Sequence, residues 1–550
     1  RPITLRGYPG ELAVLDGGVP EMLNSPATAW QPCSGGAPGE YQSTKTYPEF
    51  GNSDRYRHEV ALVGNFADSM VPLHGYRFVS DFRTANEYWN VPHKLDPDSG
   101  VYCGPGVWFN SATHRIHARL AHTRLNVLGP QNYRGETDPR KLPLVVAGYG
   151  TVLKLEGTEH VRVQDLIVRG SAGNTVELVN TAHVEFDGVT IYGGAPAMMV
   201  RATNRLRLLR STLRGLSAPW SSRASHKYRG ISPYLFIAAG NLPQCRDFEI
   251  AYCEFTDNHD GLIVGTIDGL EFHHNLVDNF DDDGIYLTLS RPAPPRNLRI
   301  YQNYLARCHT MFSFAEGGDG SKAEVGPGAH ICRNVLDFRR GTYSNPPRDA
   351  GADASTVFAD HCRDGRPASD HGSPIWEPMY VYHNTVISRR KAFRNYYGAG
   401  WGGHTRDTRR RVFNNIFVQI EELPGLHFAS AEHDVQADGN LHWSVRDGRG
   451  QQDGFFDAFR GSRLFADSKK QYPPGWGAGD VFADPRFVRF AEDPRGKLDL
   501  RLHADSPATD SGVELPRAWP DPLRSADRGR PDIGAFPLGA EPFRVGPRAE

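Results

Sequence analysis

Ten-residue segments of one design recur along this chain, and no other feature of the sequence restricts the fold as severely. Starting at Val161, Val184, Leu206, Phe248, Leu270, Leu298, Ala329, Met379 and Arg410, they read VRVQDLIVRG, VEFDGVTIYG, LRLLRSTLRG, FEIAYCEFTD, LEFHHNLVDN, LRIYQNYLAR, AHICRNVLDF, MYVYHNTVIS and RRVFNNIFVQ. A fainter tenth copy, VQADGNLHWS, starts at Val435. Positions 1, 3 and 8 are mostly apolar, so each half alternates as a strand with one buried face does, and the phase changes at position 6. That position is Asn275, Asn303, Asn334, Asn384, Asn415 and Asn440 in six successive copies. Asparagine is common in turns, but six in register predict stacked turns in which each amide bonds the next coil: an asparagine ladder.

The starts lie 23, 22, 42, 22, 28, 31, 50, 31 and 25 residues apart. About 22 residues hold three short strands and three turns, whereas a helix with two strands fits poorly, so the repeat predicts a solenoid of β-coils. The chain resembles the right-handed parallel β-helix superfamily of polysaccharide lyases and glycoside hydrolases over roughly residues 151–445. The resemblance implies an all-β fold, and the right-handed rule for parallel crossovers points to the same hand.

Four segments follow: 1–18 as a first coil, 19–150 as an inserted β-rich lobe, 151–445 as the β-helix with long loops lining a groove, and 446–550 as its end and capping tail. The lobe carries strand-like HEVALVGNF and HRIHARLAHT, and the tail's FADPRFV, DLRLHADSPATDSG and GRPDIGAF suit a segment covering an open sheet edge. Three excursions at 216–233, 339–378 and 389–409 are rich in Trp, Tyr, Arg and His, and long aperiodic loops in a compact solenoid commonly carry function. The 58 Gly and 40 Pro fit a fold with many turns.

Charge narrows the partners. With 62 basic and 64 acidic residues the formal charge is −2, which offers no global attraction to nucleic acid or an anionic membrane. No apolar run reaches the roughly 20 residues of a membrane span. Seven dispersed cysteines without a CxxC suggest neither a disulfide scaffold nor a zinc knuckle, and Cys253 and Cys332 fall in strand patterns as core residues. The first residue is Arg1, so either a processed leader or a start within a longer protein is expected.

The chemistry concentrates where a further strand begins in each coil: AMMVR at Ala197, YLFIA at Tyr234, GLIVG at Gly261, GIYLT at Gly284 and MFSFA at Met311. Aligned on those residues, Asp260 and Asp283 share one lip on adjacent coils, with His259 and Asp282 one step earlier. Strands about 4.8 Å apart force such carboxylates together, which costs energy unless a proton, metal or substrate resolves it. Asx residues also cap turns before strands, a role that any one of these acids fits alone.

The strings NHDG, DDDG and CHTM, ending at Gly261, Gly284 and Met311, resemble the polygalacturonase-like glycoside hydrolases. That resemblance implies Asp282 as general acid, Asp260 and Asp283 activating water, and His309 in the place of the family histidine. His309 sits one residue earlier than the family pattern, and the R-I-K that grips a uronate is missing. The resemblance therefore implies the hydrolytic chemistry more firmly than a pectic substrate.

Two alternatives stay open. Asp278, Asp281, Asp282 and Asp283 offer oxygen ligands for Ca²⁺, as in calcium-dependent β-helix lyases, with Lys227 or Arg229 in SHKYRG as base. A noncatalytic glycan-binding module on the same scaffold is the other. Lys227, Arg229, Tyr286, Glu316 and Trp401 are candidate substrate contacts, together with the rings of Trp220, Tyr396 and Tyr397. The expected protein is a bacterial carbohydrate-active enzyme, secreted or periplasmic, acting on a polysaccharide or oligosaccharide, with no cofactor for hydrolysis and Ca²⁺ for the lyase alternative.

Overall fold

A computed structural model describes the chain except residues 1, 51–61, 88–99, 126–129, 149, 224, 232, 239–243, 266, 288–294, 315–327, 341–365, 371–378, 389–408, 421–433, 447–454 and 548–550. It is mostly β, with long parallel sheets compatible with a β-helix.

The first half of each ten-residue segment joins an eleven-stranded sheet that runs from Ile3–Arg6 through Glu159–Gln164 to Val435–Asp438. Val161 lies opposite Val184, and Phe248, Leu270, Leu298, Ala329, Met379, Arg410 and Val435 follow opposite one another, so the ungapped sequence alignment is the pairing register. The second half of each segment pairs in parallel as well, from Ala13–Asp16 against Leu166–Arg169 onward to Leu441–Ser444. A third parallel series comprises Leu153–Glu156, Val176–Val179, Met198–Arg201, Tyr234–Ala238 and Asp260–Val264. Leu276–Leu287 is long enough to belong to both of the last two series. Inward side chains from all three, including Val163, Val168, Val176, Leu206 and Phe236, are buried in one apolar cluster.

The turn at position 6 explains why asparagine is needed. The preceding residue is left-handed in every copy: Asp165, Arg210, Tyr252, His274, Gln302, Arg333, His383 and Asn414 have φ between 44° and 56°, and Gly188 and Gly439 take the same place. That conformation costs an L-residue energy, and the next residue compensates. Asn303 N donates to Asn334 Oδ1 at 3.0 Å, Asn334 N to Asn384 Oδ1 at 3.0 Å, and Asn384 N to Asn415 Oδ1 at 2.9 Å. Cys253 N extends the ladder at one end and Asp480 Oδ1 at the other.

One strand departs from the sequence alignment. Tyr234 lies opposite Asp260, and Phe236 opposite Leu262, one residue out of the expected register. Gly261, Gly284 and Met311 do lie in line, as the pairs Leu262–Ile285 and Ile285–Phe312 show. A Cβ on Gly261 would stand 2.0 Å from Gly284 O, so the coils approach here as only glycine allows.

Between Trp30 and Val146 the chain builds a separate seven-stranded, mainly antiparallel sheet with its own apolar cluster around Met22, Trp30, Leu73 and Val107. Trp220, from the 216–233 excursion, is buried in that cluster, and its Nε1 donates to Pro105 O at 2.9 Å. Trp220 is therefore packing between the excursion and this sheet, and its ring is not open for a sugar. Among the described residues, no helix is long and apolar enough to cross a membrane.

Candidate active site

A β-bulge builds the site. Phe280 pairs with Cys308 and Asp283 with Thr310, so three steps on one strand face two on the other. On the other side, Asn258 pairs with Phe280 and Leu262 with Ile285, four steps against five. The extra residue falls at Asp281–Asp282, and bulges of this kind re-aim side chains. Asn258 pins the neighbouring lip by accepting from Leu216 N at 3.0 Å and donating to Pro233 O at 2.7 Å and Asp260 O at 2.8 Å.

The bulge turns three consecutive aspartates to three different partners. Asp281 accepts from His226 Nδ1 at 2.6 Å and from His259 Nδ1. Asp282 accepts from Arg223 Nη2 at 2.6 Å and from Lys227 Nζ, with His259 Nε2 3.4 Å away. Asp283 accepts from the Tyr286 hydroxyl, which also lies 3.4 Å from Asp260 Oδ1, and Asp283 N approaches the same oxygen at 3.3 Å. All four acids, Asp260 included, are buried, whereas Lys227 is 31% exposed and marks the side on which solvent arrives.

Low polarity and crowding set the protonation states. Burial opposes a charge on His259, but the carboxylates of Asp260, Asp281 and Asp282 outweigh it and push its pKa up to about 9. Burial also acts to raise Asp281, yet the two imidazoles hold it well below the usual carboxylate range. At Asp260 burial prevails: His259 pulls the value down, Asp282 and Asp283 add like charge, and the result is pushed up to about 7. Burial and then the Asp283 and Asp260 charges raise the Tyr286 phenol far above its ordinary value. Asp260 is thus an acid that keeps its proton near neutrality beside a carboxylate, Asp282, held by two cations.

Of the residues singled out in the sequence, His259, Asp260, Asp281, Asp282, Asp283, Lys227 and Tyr286 meet in this cluster. Arg229 does not, because it turns to the lobe and binds Asp81 through Nε at 2.9 Å and Nη2 at 2.8 Å. His309 lies in the strand Tyr304–Phe314, its side chain outside the described residues, as are Glu316, Tyr396, Tyr397 and Trp401.

Arg223, His226 and Tyr234 were not singled out. The first two share the excursion with Lys227, at spacings that put all three on one side of its single helical turn Ser225–Arg229 and the residues before it. Tyr234 stands edge-on to Tyr286 with ring centroids 5.7 Å apart, and burial with the three nearby aspartates raises its phenol to about 12. The one-residue register shift is what brings it there.

The four aspartates offered for Ca²⁺ do not converge. Asp278 is bound by Arg307 beside a separate cleft of about 250 Å³, Asp281 by two imidazoles and Asp282 by two cations. The described atoms that do converge near Asp282 are those of His259, Asp260 and Asp282, within 4.8 Å of one another. A mixed nitrogen and oxygen set already facing Arg223 and Lys227 does not suit a hard, oxygen-seeking ion.

No known family's sequence profile matches this chain, and no curated protein matches it. Among solved structures it is similar to XylC in complex with xylose, with a TM-score of 0.37 and 10% identity over 81% of this chain and 67% of that one.

Proposed function

We propose that the three strand series close into a right-handed parallel β-helix, with residues 19–150 as an inserted lobe, and that the protein is a carbohydrate-active enzyme that hydrolyses glycosidic bonds. The observation that carries this reading is the pair Asp260 and Asp282: one carboxyl that holds a proton near pH 7, and one anion fixed by Arg223 and Lys227, within 4.8 Å. Neighbouring carboxyls whose environments pull their protonation apart are suited to acid and anion roles on one substrate.

The sequence resemblance implied Asp282 as proton donor; the geometry favours exchanging the roles. Two cations on Asp282 favour its ionised form, while Asp260 has the proton to give to the leaving oxygen. One oxygen of each lies within 4.8 Å of the other, which is nearer the about 5–5.5 Å of the retaining class than the about 6.5–9.5 Å of the inverting one. Asp282 then faces the anomeric carbon, and Asp283 with Tyr286 orients Asp260. Lys227 is engaged with Asp282 as its ion-pair partner, which supports a role in holding that carboxylate over one as a lyase base.

Burial of the whole cluster favours a second reading, in which the network fastens the 216–233 excursion to the stack of a noncatalytic glycan-binding module. Paired variants decide between them. In a hydrolase Asp260→Asn and Asp282→Asn each lower kcat by about 10²-fold or more. Aryl glycosides with acidic leaving groups, which need no proton donor, restore the first, glycosylation step in Asp260→Asn, read as a burst of released phenol, but not in Asp282→Asn; the second step still needs Asp260 as base. Polysaccharide binding by the wild type with no product from any substrate leaves the binding module.

A further inference from the structure

A cavity lies away from these acids, on the outer face of the eleven-stranded sheet. It is a groove of about 930 Å³ that crosses the strands and is bounded at one end by the tail at Pro520. Position 2 of successive segments lines its floor with a charge ladder, Glu185, Arg207, Glu249, Glu271 and Arg299. Arg207 bridges Glu185 at 2.9 Å and Glu249 at 2.8 Å, and Arg299 binds Glu271 at 2.9 Å.

We propose that this groove is a second, noncatalytic binding site for an uncharged linear glycan lying along the axis of the coils. Direction is the first argument: rungs about 4.8 Å apart repeat at nearly the length of one pyranose unit in an extended chain, so each sugar meets an equivalent rung. Charge is the second. The ladder's acids and guanidiniums are paired with one another, which leaves a row of donors and acceptors with little net field, so a polyanion or polycation gains nothing that a hydroxyl-bearing neutral chain lacks.

The third argument is the place where alternation fails. Glu249 and Glu271 are directly opposite in the register, each with its guanidinium on the far side. Like charges so placed are unfavourable, and burial with Glu249 nearby raises the Glu271 carboxyl. Sugar hydroxyls donating to both oxygens relieve that contact.

Affinity gel electrophoresis of the whole chain in soluble galactomannan, arabinoxylan, mixed-linkage β-glucan and polygalacturonate tests the proposal independently of catalysis. At least one neutral polymer slows the wild type and Asp260→Asn equally, and Glu249→Ala with Glu271→Ala weakens that binding about tenfold. Arg299→Ala, at a half-exposed side chain, serves if the double variant does not fold, and weakens it about threefold. No retardation by any neutral polymer overturns the proposal. So does retardation unchanged in folded ladder variants, or polygalacturonate binding as strongly through the ladder.

Discussion

In the proposed hydrolase Asp260 is the acid because of what surrounds it. A lone aspartate at a turn is an ordinary cap, but this one is buried, next to Asp282 and Asp283, and shares an oxygen with the Tyr286 hydroxyl and Asp283 N. Its raised pKa predicts that kcat falls as pH rises through about 7, where the proton is lost. Asp260→Asn removes that limb from the pH profile; a limb that persists in the variant belongs to another group. His259 gives a second, opposite signature. Its folded value, about 9, lies above the ordinary 6.5, so its contribution to stability is complete below pH 6.5 and disappears as pH climbs towards 9. The alkaline loss of stability should therefore be shallower in His259→Gln than in wild type, measured as unfolding midpoints between pH 6 and 9.5.

Elements place these residues. The ladder was legible in the sequence because one amide at one offset carries the fold's most constrained turn, and Asn334 both donates to Asn384 and accepts from Asn303 while fully buried. Asn334→Ala should cost about 2 kcal/mol or more by taking the amide partner from buried Asn303 N and from the carbonyls of Ile300 and Cys332, seen as a lowered unfolding midpoint with the β spectrum kept. The bulge was not legible: DDDG announces crowded acids, but only pairing across two neighbours shows which one is extra. Nor was the grip of the lobe. Arg229 reads as a candidate base or a substrate contact in sequence, yet Asp81, about 150 positions away, fixes it, with the guanidinium 4.8 Å over the Phe78 ring. The lobe thus holds from behind the excursion that delivers Arg223, His226 and Lys227. Asp81→Asn leaves Arg229 with a neutral partner. It should lower kcat by about tenfold and move the imidazole signals of His226 and His259 in NMR, while Asp278→Asn, which alters the Arg307 pair, should leave those signals where they are.

Across the whole molecule, period and register were readable because long parallel sheets repeat each constraint from strand to strand, whereas the site depends on contacts that occur once. Tyr234 shows the boundary: its strand was recognised, but a single-residue slip decides that its ring meets Tyr286 rather than the next coil. The same scaffold presents two faces of different character, buried acids beside the lobe and a charge-balanced groove on the eleven-stranded sheet. The measurement that tests the central claim most directly is product analysis on a panel of neutral and uronic polysaccharides, reading reducing ends, anomeric proton signals and ultraviolet absorbance together. Hydrolysis by Asp260 and Asp282 predicts new reducing ends whose first-formed anomer keeps the substrate's configuration, no unsaturated product, and loss of both signals in Asp282→Asn. A 4,5-unsaturated uronate at the cleaved ends, or turnover undiminished in Asp282→Asn, would contradict it.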